Sequence, residues 1–582
     1  MGKKDKKEKK EKKPLSKKAK IIILSIVLAN VAILLSAFFI IVLPFLTMCV
    51  KTDFVSKDTG ENLIDTTMTE KQRLKDFDYM YNIVCLENPE KERIEQAYGI
   101  SYDDIYIRYR DLAVNAETDY EYFSYLGSFL AVLPGCHNYM GLPDYTNNAV
   151  YAEFLMSEIY GTQEFKDYAY SWKESFRDDV EDSLGYTMIA FAYVNGSYVA
   201  IIPDNDQLKY NPDYFNATLI SIDGKDPKDI CFDVFEAFAP TYDGINGCFF
   251  RKNLVFNDGI GEKHTGELLL TDGATVTIDL YDDPGFDYAV TEGKKAYPEL
   301  FEVPEATADT GSVSGTDVTD VLSPDYIPST YRLTKDPDRK IVYVNSISCD
   351  TYEGERLAIE LTQALEETDA DTVILDIRSN GGGNINFATE QILPVIFSHD
   401  VTFESRVYGG KNSHTRKFYG NAIYRFMETS YNNVSDFSTF GKNYSYTETF
   451  NVRGKAAKNY KIYLLTSFNT FSASDVMTRI CKEYDNCVVV GTNTSGEGIN
   501  GSIMQCYLPE SHFMFAYAPT VSIKYPEDSY YGTEPDIYIP YTYEERIART
   551  ELLLNGTNPN SYAVRQQWDQ TLIRVIEMAE ED

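Results

Sequence analysis

Histidine is scarce in this chain. There are five in 582 residues, at positions 137, 264, 399, 414 and 512. Any chemistry that needs an imidazole base must draw on one of them. The nine cysteines form no C-x-x-C pair, which argues against a structural zinc, and we expect no bound metal and no cofactor. The glycine run 381–383 does not extend into G-x-G-x-x-G, and no Gly-Lys-Ser/Thr is present, so that run is neither a Rossmann nor a Walker loop. Internal repeats are lacking. Positive charge is also short, with 54 Lys and Arg against 89 Asp and Glu, a net charge of -35. A body that acidic repels nucleic acid, so no DNA or RNA partner is expected.

What basic charge there is collects at the start. The first 20 residues hold 11 Lys and 3 acids, which leaves 43 basic against 86 acidic residues in the remainder. Residues 1–20 therefore read as a basic tail. From Ile21 to Met48 no residue is charged. As a helix, those 28 residues would span about 42 Å, enough to cross a bilayer core of about 30 Å. Basic flanks stay on the cytoplasmic side. The expectation is a single-pass anchor at 21–48, with the N-terminus cytoplasmic and the following domains extracellular. The rival is a cleaved signal peptide, but the apolar run is too long for an ordinary one and no A-x-A site follows. Cys49 follows Met48, which is bulky where a lipoprotein cleavage site needs a small residue.

The length allows roughly three to five folded units. Residues 51–175 read as an aromatic-rich helical region, with apolar residues near helical spacing. Residues 180–300 read as a small β-rich domain with hairpins around Asn195-Gly196 and Asp272-Gly273. Residues 303–329, rich in Pro, Thr, Ser, Asp and Gly, read as a linker or surface loop. From 330 to 582 strands and helices alternate, as a parallel sheet with crossover helices requires. Within this last part the stretch after the glycine-rich helix, which holds His399 and His414, reads as loop-rich. Cys481 and Cys487, at a helix end and a strand start, are not an obvious disulfide pair.

Two places can carry chemistry. In DIRSNGGGN, residues 376–384, a buried strand runs into three glycines and then a helix. Such a turn exposes backbone N–H groups that can receive an oxyanion, or it is a plain tight turn. In TSFNTFSASDVMTRI, Ser472 falls where strand gives way to helix. There its hydroxyl is either a nucleophile near the positive end of the helix, with the Ala473 N–H as an oxyanion donor, or a simple N-cap, a role Ser474 could also take. A nucleophilic serine needs a base, and position alone does not choose among the five histidines.

VILDIRSNGGG, FSASD, VVVGTNTSGEG and GTEPDIYIP, in that order, resemble the S41 family of serine peptidases, the C-terminal-processing and tricorn-like group. The similarity covers roughly 330–545 and extends to LPGCHNYMG around His137 and to ATLISIDGKDPKDI in the β-rich part. It implies a ClpP/crotonase-like parallel-sheet core, a PDZ-like β domain, and a serine endopeptidase acting on a protein or peptide. Ser472 takes the nucleophile's place. Glu497 stands where the Ser-Lys branch has its Lys, so the chain is closer to the Ser-His-carboxylate branch. In that branch His137 is the base, although Gly135 stands where an Asp is usual. Its carboxylate falls at Glu527 or Asp528, with Glu534 third. Gly382, Gly383 and Ala473 are the implied oxyanion donors. Arg378, Asn380, Gly381, Thr494, Gly496 and Glu497 are the implied supports. The alternatives are an inactive S41-like peptide-binding or envelope scaffold protein, and a crotonase-like acyl-CoA enzyme, against which the outward topology argues.

Overall fold

The computed structural model describes residues 62–86, 91–133, 137–141, 167–172, 174–176, 188–200, 214–230, 240–257, 264–280, 327–410, 434–440, 443–498, 504–518, 520–521 and 530–581. The expected anchor at 21–48, the basic tail and most of the expected linker lie outside these residues. Among the described residues no helix is long and apolar enough to cross a membrane.

The first part is helical: α1 (Glu70–Tyr81), α2 (Lys91–Tyr98), α3 (Tyr102–Val114) and α4 (Asp119–Val132). Each start has a sequence cause. Thr69 and Gln72 form a reciprocal capping box on α1, and the Ser101 and Thr118 hydroxyls cap α3 and α4. Strand β1 (Tyr139–Gly141) follows.

Next comes a β-rich unit: β2 (Met188–Val194), β3 (Ser197–Ala200), β4 (Thr218–Ile222), β5 (Pro240–Asp243), β6 (Cys248–Arg251), β7 (Asn253–Asn257), β8 (Thr265–Leu269) and β9 (Thr275–Asp279). Six of these form one sheet in the order β7-β2-β3-β4-β8-β9, while β5 and β6 pair separately. Asn195 and Gly196, both at positive φ, join β2 to β3, the turn whose twist suits a hairpin.

The last part is built on a six-stranded sheet. Its elements are β10 (Tyr331–Asp336), β11 (Ile341–Ser346), α5 (Thr351–Thr368), β12 (Thr372–Asp376), β13 (Val401–Gly410), β14 (Val434–Phe440), β15 (Asn443–Val452), β16 (Lys461–Thr466), α6 (Ala473–Lys482), β17 (Cys487–Gly491), β18 (Met504–Tyr507), β19 (Met514–Tyr517), β20 (Thr520–Val521), β21 (Ile537–Tyr538), α7 (Tyr543–Leu554) and α8 (Gln570–Glu581). The order is β10-β11-β12-β16-β17-β21, parallel except for β10. Alternation sorts its side chains. Val342, Val344, Val373, Leu375, Ile462, Leu464 and Val489 enter the core under α5 and α6. Ile341, Tyr343, Ile374, Tyr463, Leu465 and Val490 enter the core under α8. Both faces are covered, so these strands are apolar throughout. Each such side chain contributes about 1.5–3 kcal/mol by leaving water.

Two elements differ from the sequence expectation. The stretch taken as loop-rich contains three strands of a four-stranded antiparallel sheet in the order β14-β15-β13-β20, with β20 added from further along the chain. Burial alternates along β13, a two-residue period that marks a half-buried strand. The helix expected over NINFATEQILPVIF is a wide π-type turn, Phe387–Ile392, leading into the short Leu393–Ile396. Pro394 has no N–H to give the carbonyl four residues back, and the Leu393 N–H reaches Ala388 instead.

The helical part closes on the last part through a hairpin. β1, β19 and β18 form one antiparallel sheet, with Tyr139 opposite Ala516. Phe77, Tyr122, Phe129 and Trp172 share a core with Phe513, Phe515 and Tyr517. The buried carboxylate of Asp76 accepts the N–H groups of Glu510 and Ser511 at the hairpin turn, both at 2.8 Å. Burial pushes its pKa up to about 6.

Candidate active site

Three neighbouring parallel strands, β12, β16 and β17, end on the same edge, and each runs into a turn that reaches the same place. Clefts at the carboxyl ends of parallel strands are where open α/β sheets bind ligands. The turns continue the ladder: Phe471 N–H donates to the Asn380 carbonyl, Ser495 N–H to Thr470, and Ser472 N–H to Gly496.

Ser472 sits at the N-cap position of α6 with φ 57 and ψ -123, a conformation that a residue with a Cβ adopts only when its surroundings force it. Its side chain does not cap the helix. Ser474 takes the local bonds, with its hydroxyl accepting the Phe471 N–H at 2.9 Å and donating to the Asn380 carbonyl at 2.7 Å. The Ser472 hydroxyl is left to face His137, whose Nε2 lies 3.2 Å from Oγ.

His137 stands two residues before β1, so the pairing of β1 with β19 sets its place. On its other side, Nδ1 lies 3.0 Å from Glu497 Oε2. That approach is off the ring N–H axis, making it an electrostatic contact and not an aligned hydrogen bond. The same oxygen accepts the main-chain N–H of His137 at 3.4 Å. Both side chains are nearly out of solvent, at 11% and 6% exposure, so little water screens the pair. The Phe471 ring lies against the imidazole, with centroids 4.6 Å apart.

Glu497 is itself at positive φ, in a turn braced from below. The fully buried carboxylate of Asp475, one turn into α6, accepts the hydroxyls of Thr494 at 2.5 Å and Thr533 at 2.6 Å, and Nε of Arg479 at 3.1 Å. A Cβ on Gly498 would meet the Ser472 carbonyl at 2.5 Å, so the turn needs a glycine to come this close to the serine.

The glycine turn lies on the far side. A Cβ on Gly382 would stand 2.7 Å from Ser472 Cβ. Its N–H is engaged by Asn380 Oδ1 at 2.9 Å, which removes Gly382 from the expected oxyanion donors. Among the described residues the N–H groups of Gly383 and Ala473 donate to no other group. Gly381 lies beside them, with open space where a Cβ would go. Arg378 does not enter the cleft. It forks onto Asp376 and Asp569, with Arg565 also on Asp376, and ties the base of the turn to the C-terminal helix. The two guanidinium groups hold the Asp376 carboxyl well below the usual carboxylate range despite full burial.

The structure thus brings Ser472, His137, Gly383, Ala473 and Glu497 together. Glu527 and Asp528 lie outside the described residues. Glu534 is exposed, and its carbonyl accepts Lys482 Nζ. Among the described residues the carboxylate at His137 Nδ1 is Glu497, which the sequence marked only as a support. The available signal was its charge: an acid stood where the Ser-Lys branch has an amine. Asp475, Thr533 and Phe471 were also missed, since their roles depend on which turns meet in space. No group of His, Cys, Asp or Glu among the described residues could hold a metal ion.

A serine at a helix start with a histidine within reach is an arrangement suited to acyl transfer through a serine nucleophile. Residues 340–539, which hold five of the six strands of this sheet and carry Ser472, match the model of peptidase family S41, and that match supports a serine-type peptidase of this kind. Solved structures with a similar chain path include mature CPAF complexed with lactacystin, at 12% identity over 88% of this chain and 99% of that one, TM-score 0.45. They also include the photosystem II D1 C-terminal processing protease, at 11% identity over 82% and 94%, TM-score 0.31. The tricorn protease matches at 12% identity over 88% of this chain and 37% of its own, TM-score 0.28. No curated protein matches.

Proposed function

We propose that this protein is a membrane-anchored serine endopeptidase acting outside the membrane through an acyl-enzyme, with Ser472 as nucleophile, His137 as base and Glu497 as the orienting carboxylate. One observation carries this: the imidazole lies between the serine hydroxyl and a buried carboxylate, at 3.2 and 3.0 Å.

Glu497 at Nδ1 favours the tautomer with its proton there, leaving Nε2 free to accept. Nε2 takes the Ser472 proton as Oγ attacks the scissile carbonyl. The Gly383 and Ala473 N–H groups receive the oxyanion, and one such donor is worth about 10²–10³ in rate. The imidazolium, stabilised by Glu497, returns its proton to the departing amine as the C–N bond breaks. Water then gives a proton to Nε2, attacks the ester and releases the acid product, and Ser472 recovers its proton.

The anchor and outward topology are supported by the uncharged run at 21–48 behind its basic tail. The β-rich unit, as a PDZ-like domain, would offer a sheet edge for strand addition by a protein or peptide substrate.

The test is covalent. The detergent-solubilised full chain should react with a fluorophosphonate at Ser472, located by peptide mass spectrometry. Ser472→Ala should abolish the label and peptide cleavage, and His137→Ala should slow both. Absence of label in the wild-type chain, together with tight peptide binding, would identify a binding module instead. Digestion of a C-terminal tag by protease added to intact cells tests the topology.

A further inference from the structure

The β-rich unit touches the site through three consecutive residues. Phe250 at the end of β6 sets its ring edge-on to Phe468, in the approach to Ser472, with centroids 5.5 Å apart. Arg251, fully buried, donates to the carbonyls of Ala131 and Val132 at the end of α4. Lys252 then places its ammonium over the Phe471 ring, 5.9 Å from the centroid, the same ring that lies against His137.

Lys252 is not one of the described lysines held by an ion pair. Lys75, Lys91, Lys335, Lys340, Lys458 and Lys482 each have a carboxylate within 4 Å. Lys252 is partly buried, and among the described residues it has no carboxylate partner; its one polar contact is the aromatic face. Its backbone is fixed on both sides. It is the bend between β6, which pairs with β5, and β7, which pairs with β2, and its carbonyl accepts the Tyr193 N–H. A rigid corner therefore holds a positive charge on the ring that lies against His137 and directly precedes Ser472 in the chain. The ring beneath it discourages the side chain from folding away, and the ammonium brings three donors and no acceptor.

We propose that Lys252 is a specificity-determining residue that binds a carboxylate of the peptide substrate next to the scissile bond. This rests on the peptidase assignment above. The net charge of -35 repels acidic peptides at long range, so a local cation converts general repulsion into selection for an acid at one position. The carboxylate comes either from an Asp or Glu side chain or from a free C-terminus a few residues beyond the bond. A charge-assisted hydrogen bond at such a site corresponds to about tenfold in affinity.

Two measurements test it on the full chain. Binding is read by fluorescence anisotropy in Ser472→Ala, which turns nothing over, using one labelled peptide in four forms: internal Glu or Gln, each with a C-terminal acid or amide. The Glu form, the C-terminal acid form or both should bind about tenfold tighter than the Gln amide. Adding Lys252→Met should remove that preference without changing affinity for the Gln amide. Cleavage is read in the Ser472 background, where Lys252→Glu should turn a preference for Glu over Lys peptides into its reverse. The pair of peptides that responds identifies the source of the carboxylate. An unchanged preference for the acid in Lys252→Met, or no preference in the starting chain, overturns the proposal. A preference that depends on Lys252 in a wild-type chain that neither cleaves nor labels would sink the peptidase assignment while leaving Lys252 as a carboxylate-binding residue.

Discussion

Glu497 shows how much one side chain's charge decides. In its turn a lysine amine beside Ser472 would serve as the base by itself, and a histidine would be superfluous. A carboxylate cannot do that work directly, because its pKa is too far below that of a serine hydroxyl for efficient proton transfer. It can hold an imidazole and stabilise its charged form, and His137 is at the right distance on both sides. Glu497→Gln should keep the fold and substrate binding but favour the wrong tautomer, lowering kcat about 10³–10⁴-fold with little change in KM, as read by steady-state cleavage of a quenched peptide. A neutral Glu497→Gln combined with a large loss in Glu527→Gln or Asp528→Asn would return the role to the carboxylates the sequence favoured.

At the scale of elements, the base and the nucleophile are supplied by parts of the chain 335 residues apart. Ser472 is placed by β16 and α6, while His137 hangs between the end of α4 and β1. Two contacts hold the elements at its ends: β1 pairs with β19, and Arg251 from the β-rich unit binds the last carbonyls of α4, where the helix carries its partial negative charge. A positioning role for Arg251, exerted through His137, makes a testable prediction. Arg251→Met should cut fluorophosphonate labelling of Ser472 at least tenfold while leaving the far-UV circular dichroism unchanged, and Arg251→Lys should recover part of the rate. A loss of helical signal parallel to the loss of labelling would mean that Arg251 only holds the fold together.

Over the whole molecule, assembly depends on the helical part docking on the β18–β19 hairpin, and Asp76 lies in that contact. Its folded pKa, about 6, is above the ordinary 3.8 because burial disfavours the charge. A group shifted upward contributes stability that is complete below its unfolded pKa and is lost as pH rises through the folded one. The window is therefore about pH 4 to 6, and the full swing is roughly 3 kcal/mol. Asp376 is shifted downward, so its contribution survives until the pH falls far below that window. Lowering the pH from about 7.5 to about 5.5 should raise the Tm of the wild-type chain relative to Asp76→Asn, whose side chain does not titrate. A Tm difference independent of pH would show that Asp76 keeps an ordinary pKa in the folded protein.

Much of this was legible in the residues because it is local. Alternating and continuous apolar runs marked β11, β12, β16 and β17, Asn195-Gly196 marked a hairpin, and the order of glycine turn, FSASD and TSGEG pointed to the family. Ser472 was marked by its place between strand and helix, and His137 by a short motif. The antiparallel sheet of 401–452 was harder to see, because exposed and half-buried positions interrupt the apolar pattern of β13 and β15 and the 23 residues 411–433 separate β13 from β14. Tertiary structure alone decided which acid meets the imidazole, that Asn380 takes the Gly382 N–H from the oxyanion cradle, and that Lys252 lies over the Phe471 ring. Sequence sets which turns and helices can form, since those depend on neighbours a few residues apart. A site joining residues 137, 472 and 497 depends on how separate units dock, and that geometry is fixed only when their cores close on one another.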